Sequence, residues 1–172
     1  RKISPAQAGI NIGAQLLGGL VGGYLAMASL AGIPGLDLAG GVPDLGKDST
    51  GAYVVGVPQG ILIEALLTFL LMFVVMGTAV DHRFGARLGG LAIGFTVALD
   101  IMAGGPLTGA AMNPARWVGA AVPAMHFEHA VVYFVGPILG AVAAALLYQH
   151  TLLEEPRPHP EPQAQMRAKG NP

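Results

Sequence analysis

The residues best placed to do chemistry lie together between Gly104 and Arg116, in the run Gly-Gly-Pro-Leu-Thr-Gly-Ala-Ala-Met-Asn-Pro-Ala-Arg. What this run offers is hydrogen bonding and fixed charge. Pro114 suits the first position of a helix, where its missing N–H removes a group that would lack a partner anyway. Asn113 suits the N-cap just before it. The expected product is a short helix from Pro114 to about Val122, whose amino end carries unpaired N–H donors and partial positive charge. At membrane mid-depth that end repels cations. There the Asn113 amide donates to a passing solute, and an extended Gly109–Ala111 stretch offers the carbonyls of Gly109, Ala110 and Ala111 as acceptors. Arg116, one turn further on, is a fixed cationic donor, and an arginine in an apolar setting is costly enough to mark function. The plainer alternative is a re-entrant loop that only packs.

Such a half-helix must be held at depth by spanning helices, and the composition supplies them. Of 172 residues, 53% are hydrophobic and 11% charged. An average soluble domain has about 25% charged residues. Mean hydropathy is +0.59. Only Glu64 is charged between Gln59 and Val80, and only Asp100 between Leu88 and Ala115. Apolar runs approaching the ~20 residues needed to cross a bilayer predict four spans: Pro5–Ser29, Val57–Val80, Leu88–Ala103 and Glu128–Tyr148. The 26 glycines allow close helix packing, and Gly18/Gly22 and Gly136/Gly140 are small-xxx-small pairs suited to it. Residues 30–56, rich in Gly, Pro and Asp, read as a long loop at the membrane surface. The stretch from Gly104 to Phe127 is too apolar for a solvated loop and too broken for a span. Non-helical backbone at that depth is tolerated only where it lines a water-filled cavity or is buried in protein.

Residues 1–150 thus read as a membrane domain, and 151–172, Pro- and charge-rich, as a disordered cytoplasmic tail. Placing both ends on the cytoplasmic side puts Arg1, Lys2, Arg83, Arg87, Arg157, Arg167 and Lys169 inside, as the positive-inside rule asks. A faint repeat relates Leu17-Gly18 and Leu25 to Leu139-Gly140 and Leu147. There are no cysteines, no basic stripe for nucleic acid and no nucleotide motif, so neither a cofactor nor a metal is expected. An intramembrane enzyme would need paired acid, base or metal ligands, and the spans offer only Glu64 and Asp100. The histidines, including His82, His126, His129, His150 and His159, lie at span ends, links or the tail, without metal-ligand spacing within a span.

Met112-Asn113-Pro114-Ala115-Arg116 resembles the second signature of the aquaporin (major intrinsic protein) family. Ile101-Met102-Ala103-Gly104-Gly105-Pro106 and Gly109 resemble the tonoplast intrinsic members. The opening Ile3-Ser4-Pro5 with Ala14-Gln15-Leu16-Leu17-Gly18 is similar to the family's third helix, and Val135-Gly136-Pro137 to its sixth. The resemblance covers about residues 1–150. It implies an all-α membrane bundle in which the four spans are helices three to six of six, with one re-entrant half-helix and the amino-terminal part missing. It implies a homotetramer in membrane lipid, one pore per subunit, passing water and small neutral solutes such as ammonia, urea or hydrogen peroxide, with a filter at Ile101, Ala110 and Arg116. Gln15 and Glu64 match polar residues that brace the re-entrant loops, and the backbone N–H groups near Asn113–Arg116 are the expected partners of Glu64. Asn11 is expected to bond between helices. Glycerol facilitators carry Asp just after the arginine and a basic residue beyond, where this chain has Trp117 and Ala121; the glycerol type is the alternative, as is a non-conducting truncated protein acting in assembly. Asp100 is expected to pair with Arg116 or a polar neighbour, or else to face a subunit contact or the outer vestibule.

Overall fold

A computed structural model describes residues 3–34, 41–81 and 88–152. Five α-helices lie within those residues: α1 (Pro5–Leu30), α2 (Val57–Val75), α3 (Gly89–Thr108), α4 (Pro114–Ala124) and α5 (Ala130–Thr151). A π-helical turn, Met76–Val80, prolongs α2. Four of these are long and apolar enough to cross a membrane, counting α2 with its π turn as Val57–Val80. The expected all-α class and the number of spans agree with this. The link 82–87, loop residues 35–40 and tail residues 153–172 lie outside the described residues, and with them His82, His159 and the expected disorder of the tail.

Local chemistry sets most helix starts. Ser4 Oγ accepts from Gln7 N at 3.2 Å, with Pro5 following as the first helical residue of α1. Gln59 Oε1 reaches back to Gly56 N at 2.8 Å at the start of α2. The third span departs from expectation. The sequence predicts a stop at Ala103, yet α3 runs through Gly104, Gly105 and Pro106 to Thr108. Helix ends need partners for their last carbonyls, and here other segments supply them. Gly46 N donates to Leu107 O at 2.8 Å, and Tyr133 OH donates to Thr108 O at 2.9 Å. A Gly-Gly-Pro sequence that would break a solvated helix is therefore carried on to Gly109.

Close backbone approach fixes the packing. α2 lies between α5 and α3, and α1 packs on α4 alone among the described elements. Gly136 and Gly140 meet Glu64, Ile61 and Ala65 of α2, in keeping with the small-xxx-small pattern. On α1 the register differs from the expected one. Gly19 and Gly23 meet the backbone of Ala115 and Gly119, while Gly18 and Gly22 face open space where a side chain would begin. Asn11 likewise bonds within its own helix, accepting from Gln7 Nε2 at 2.9 Å rather than across helices.

A methyl group at Gly140 would collide with the Ala65 carbonyl, which is helix backbone and cannot yield. Gly140→Ala should therefore lower stability by about 1–3 kcal/mol. Gly18→Ala should leave stability unchanged or raise it by up to about 1 kcal/mol through helix propensity. Thermal unfolding of the two variants in detergent checks the contrast.

Candidate functional site

One buried carboxylate organises the turn between α3 and α4. Glu64, on α2, has no solvent exposure. Its Oε1 accepts from Ala111 N at 2.9 Å and from Thr108 Oγ1 at 2.7 Å, and its Oε2 accepts from Met112 N at 2.7 Å. Thr108 Oγ1 in turn accepts from Ala110 N at 3.3 Å. Three successive backbone N–H groups thus point at one polar pair, an arrangement of the kind that forms anion-binding nests. The backbone bends to allow it: Gly109, Ala110 and Met112 have φ of 76°, 46° and 54°. The stretch expected to be extended is therefore left-handed at two of its residues. Left-handed backbone costs a non-glycine residue roughly 1–2 kcal/mol, while a hydrogen bond to a charged group contributes about 1.5–3 kcal/mol. The carboxylate bonds outweigh the strain.

The trans peptide plane carries the consequence to the other side. In each plane the N–H of one residue opposes the C=O of the residue before it. With the N–H groups of Ala110, Ala111 and Met112 aimed at Glu64 and Thr108, the carbonyls of Gly109, Ala110 and Ala111 point away from them. The expected partners of Glu64 lie nearer Asn113–Arg116; the observed ones lie just upstream, because the bend at Gly109 presents those amides first.

Past the turn the chain enters α4 as its sequence suggests. Asn113 is the N-cap, with φ −157° and ψ 119°, and its Oδ1 accepts from Ala115 N at 2.8 Å, with Pro114 next. That bond uses the acceptor and leaves the Nδ2 donors of an exposed side chain without a partner among the described residues. Arg116 is also exposed and has no ion pair among the described residues. It lines a groove of about 660 Å³ between α1 and α4, whose walls include Gly18, Gly22 and Met27. The groove accounts for the small residues on α1 that pack against nothing.

The other expected site residues fall in different surroundings. Ile101 is 43% exposed on α3. Ala110 is fully buried and packs with Leu67 and Met112, so its backbone rather than its side chain is what it can present. Ala115 is buried where α4 meets α1. Gln15 is exposed on α1 and makes no hydrogen bond among the described residues. The pairing expected of Asp100 is not found: it is 3% exposed, and its Oδ2 has no hydrogen-bond partner. It shares the buried face of α3 with Gly104 and Thr108 at helical spacing, a face turned to Leu67 and Glu64 of α2. Arg116 opens instead on the groove between α1 and α4, which Asp100 does not line, and Asp100 is buried rather than facing a surface.

Sequence reasoning missed the part played by loop 41–56. Val42, Leu45 and Val55 are buried in one cluster with Trp117, Ala121, Val132 and Tyr133. Trp117 stacks on Tyr133 with centroids 5.6 Å apart, and its Nε1 donates to Pro43 O at 3.2 Å. The loop is thereby fastened to the back of the half-helix. A signal was present in the alternation of Val42, Leu45 and Val55 with Pro and Asp, but nothing in sequence says what such residues cover.

The family model described as "Major intrinsic protein" matches residues 1–148. The chain belongs to the major intrinsic protein family. It is 37% identical to "Probable aquaporin TIP3-2" of Oryza sativa subsp. japonica over 159 residues, 92% of this chain and 56% of that relative. It is 48% identical to "Aquaporin NIP1-1" of Zea mays over 90 residues, 52% of this chain and 32% of the relative. It is 43% identical to "Nodulin-26" of Glycine max over 90 residues, 52% of this chain and 33% of the relative. The chain thus spans between about a third and somewhat more than half the length of these relatives. Membership, with four apolar helices, makes this a multi-pass integral membrane protein.

In this major intrinsic protein the loop also carries a charged knot outside the spans. Asp44 Oδ1 lies 2.8 Å from His129 Nδ1, and its Oδ2 accepts from Tyr53 OH at 2.9 Å and pairs with Lys47 Nζ at 3.0 Å. Burial alone pushes the Asp44 carboxyl up, but the bonds from His129, Lys47, the Leu45 amide and Tyr53 together hold it well below the usual carboxylate range. A lowered value in the folded state means the knot stabilises the fold above the ordinary Asp value of 3.8 and loses that contribution as pH falls below it. Hydrogen exchange at Gly46 N, bonded to Leu107 O, should therefore be unchanged from neutral pH to about 5, after correction for intrinsic rates, and accelerate below about 4.

Proposed function

We propose that this chain is the carboxyl-terminal part of a passive channel for water and small neutral solutes such as ammonia, urea or hydrogen peroxide. The observation that carries the reading is the opposition across one turn: three amides face Glu64 and Thr108, so the carbonyls of Gly109, Ala110 and Ala111 face away, beside the free amide of Asn113 and the exposed Arg116. A solute moving along such a wall exchanges water for fixed acceptors and then meets fixed donors. The amino end of α4 and the Arg116 guanidinium both disfavour cations, so neutral species pass. No bond is made or broken, and no cofactor or energy source enters. The filter is Ile101 and Arg116 with the backbone of Ala110. Ile101 offers no hydrogen bond and leaves the constriction wide and apolar, which suits a range wider than water alone. Both ends of the chain lie on the cytoplasmic side, the tail 151–172 follows the channel domain 1–150, and four copies assemble in lipid. The names of the relatives, which include two aquaporins, support the channel class.

Vesicles carrying the full-length channel of which this chain is proposed to be the carboxyl-terminal part, challenged osmotically in a stopped-flow instrument, test this. Water flux should exceed that of bare lipid, and Ile101→His should lower urea flux relative to water flux by about tenfold, the scale on which a few pocket atoms discriminate. Flux equal to bare lipid would overturn the channel reading and favour an assembly role.

A further inference from the structure

The knot around Asp44 contains more lone pairs than protons. Tyr53 has one O–H, yet its oxygen lies within hydrogen-bond reach of two carboxylates, Asp44 at 2.9 Å and Glu128 at a still shorter distance. It can donate to only one of them. His126 Nε2 lies 3.5 Å from Asp44 Oδ2. That is too long for a useful hydrogen bond. It is, however, the spacing expected of two donors on one ion, since ligands about 2.1 Å from a tetrahedral centre stand about 3.4 Å apart. Donor atoms of Asp44, His126 and Glu128 all lie within 4.8 Å of one another.

We propose that Asp44, His126 and Glu128 form a site for a divalent transition-metal ion of the zinc type, where loop 41–56 meets the 125–129 link. One imidazole nitrogen with two carboxylate oxygens is a mixed set that zinc accepts, and three protein ligands leave a fourth position for water. The nitrogen donor disfavours magnesium and calcium, which take oxygen ligands. Asp44 Oδ1 is already held by His129 Nδ1 at 2.8 Å, the outer support that orients a ligating carboxylate. Closing the set requires movement of about 1 Å, and the side chains that must swing, His126 and Glu128, are half-buried and exposed. The resident cation is Lys47, 3.0 Å from Asp44 Oδ2, with a side chain 39% exposed and free to leave for solvent. An ion here ties the outer loop to the end of α4. The ligands come from segments about 80 residues apart, which is why spacing within a single span gave no sign of them.

Calorimetric titration of Zn²⁺ into the detergent-solubilised chain is the test. One saturable equivalent is expected, with Mg²⁺ giving none. His126→Ala and Glu128→Gln should each weaken binding by at least about tenfold. Lys47→Ala, which removes a competing charge, should tighten it several-fold, an effect that loss of folding cannot imitate. The absence of a saturable site, or affinity indifferent to both ligand substitutions, would overturn the proposal. Should either of those variants lose its helical circular dichroism, Lys47→Ala decides: tighter binding supports the site, and equal or weaker binding overturns it.

Discussion

Everything distinctive in this structure depends on a carboxylate in apolar surroundings that must find donors. Glu64 sits on α2, with no solvent exposure, among helices that offer few. Burying an unpaired charge costs many kcal/mol, so the nearest free backbone amides are drawn to it. They are available only because the chain between α3 and α4 is not helical. The carboxylate and the break are thus complementary: the break supplies donors, and the carboxylate fixes the break in one conformation. The left-handed backbone at Ala110 and Met112 is the strain that this exchange tolerates.

The same constraint propagates to both sides. Within the turn, peptide planarity converts amides facing Glu64 into carbonyls facing away. Towards loop 41–56, α3 is held through Pro106 because Gly46 and Tyr133 complete its last turn. The Pro43 carbonyl is in turn taken by Trp117, on the half-helix itself. Loop, half-helix and α5 therefore form one packed unit around Tyr133, and Arg116 projects from its edge into open space. Trp117, the residue just after Arg116, is here the pin that holds the loop down.

Much of this is legible from residue order. The apolar runs separated by charged or Pro-rich stretches mark the four spans, and Asn113-Pro114 marks the start of the half-helix, because capping chemistry is local. That Glu64 must be paired is legible because a lone carboxylate in a long apolar run needs donors; that it braces the loop comes from the family resemblance. Its partners at Ala111 and Met112 rather than beyond Asn113 are not legible, since they depend on a left-handed bend that Gly109 permits but does not dictate. The extent of α3 is hidden for a related reason: Gly-Gly-Pro breaks a helix only when nothing else completes its end. Gly18/Gly22 and Gly19/Gly23 are equally good packing motifs in sequence, and only the position of α4 chooses between them. Asp100 pairs on paper with the nearest opposite charge in its segment, whereas the helical period puts it on the buried face of α3 with Gly104 and Thr108, turned to α2.

The Glu64 carboxylate, by gathering the amides, holds the carbonyls of Gly109, Ala110 and Ala111 in place. The most direct test is amide hydrogen exchange at Ala111 and Met112 in the Glu64→Gln protein, which keeps the side-chain shape but replaces one acceptor oxygen with a donor. Exchange should be faster at one or both of these amides, by about tenfold or more for the ~1.5–3 kcal/mol a charged acceptor contributes, while amides in the middle of α2 and α5 stay protected. Unchanged protection at Ala111 and Met112 would contradict this role for Glu64, because the turn would then be holding itself.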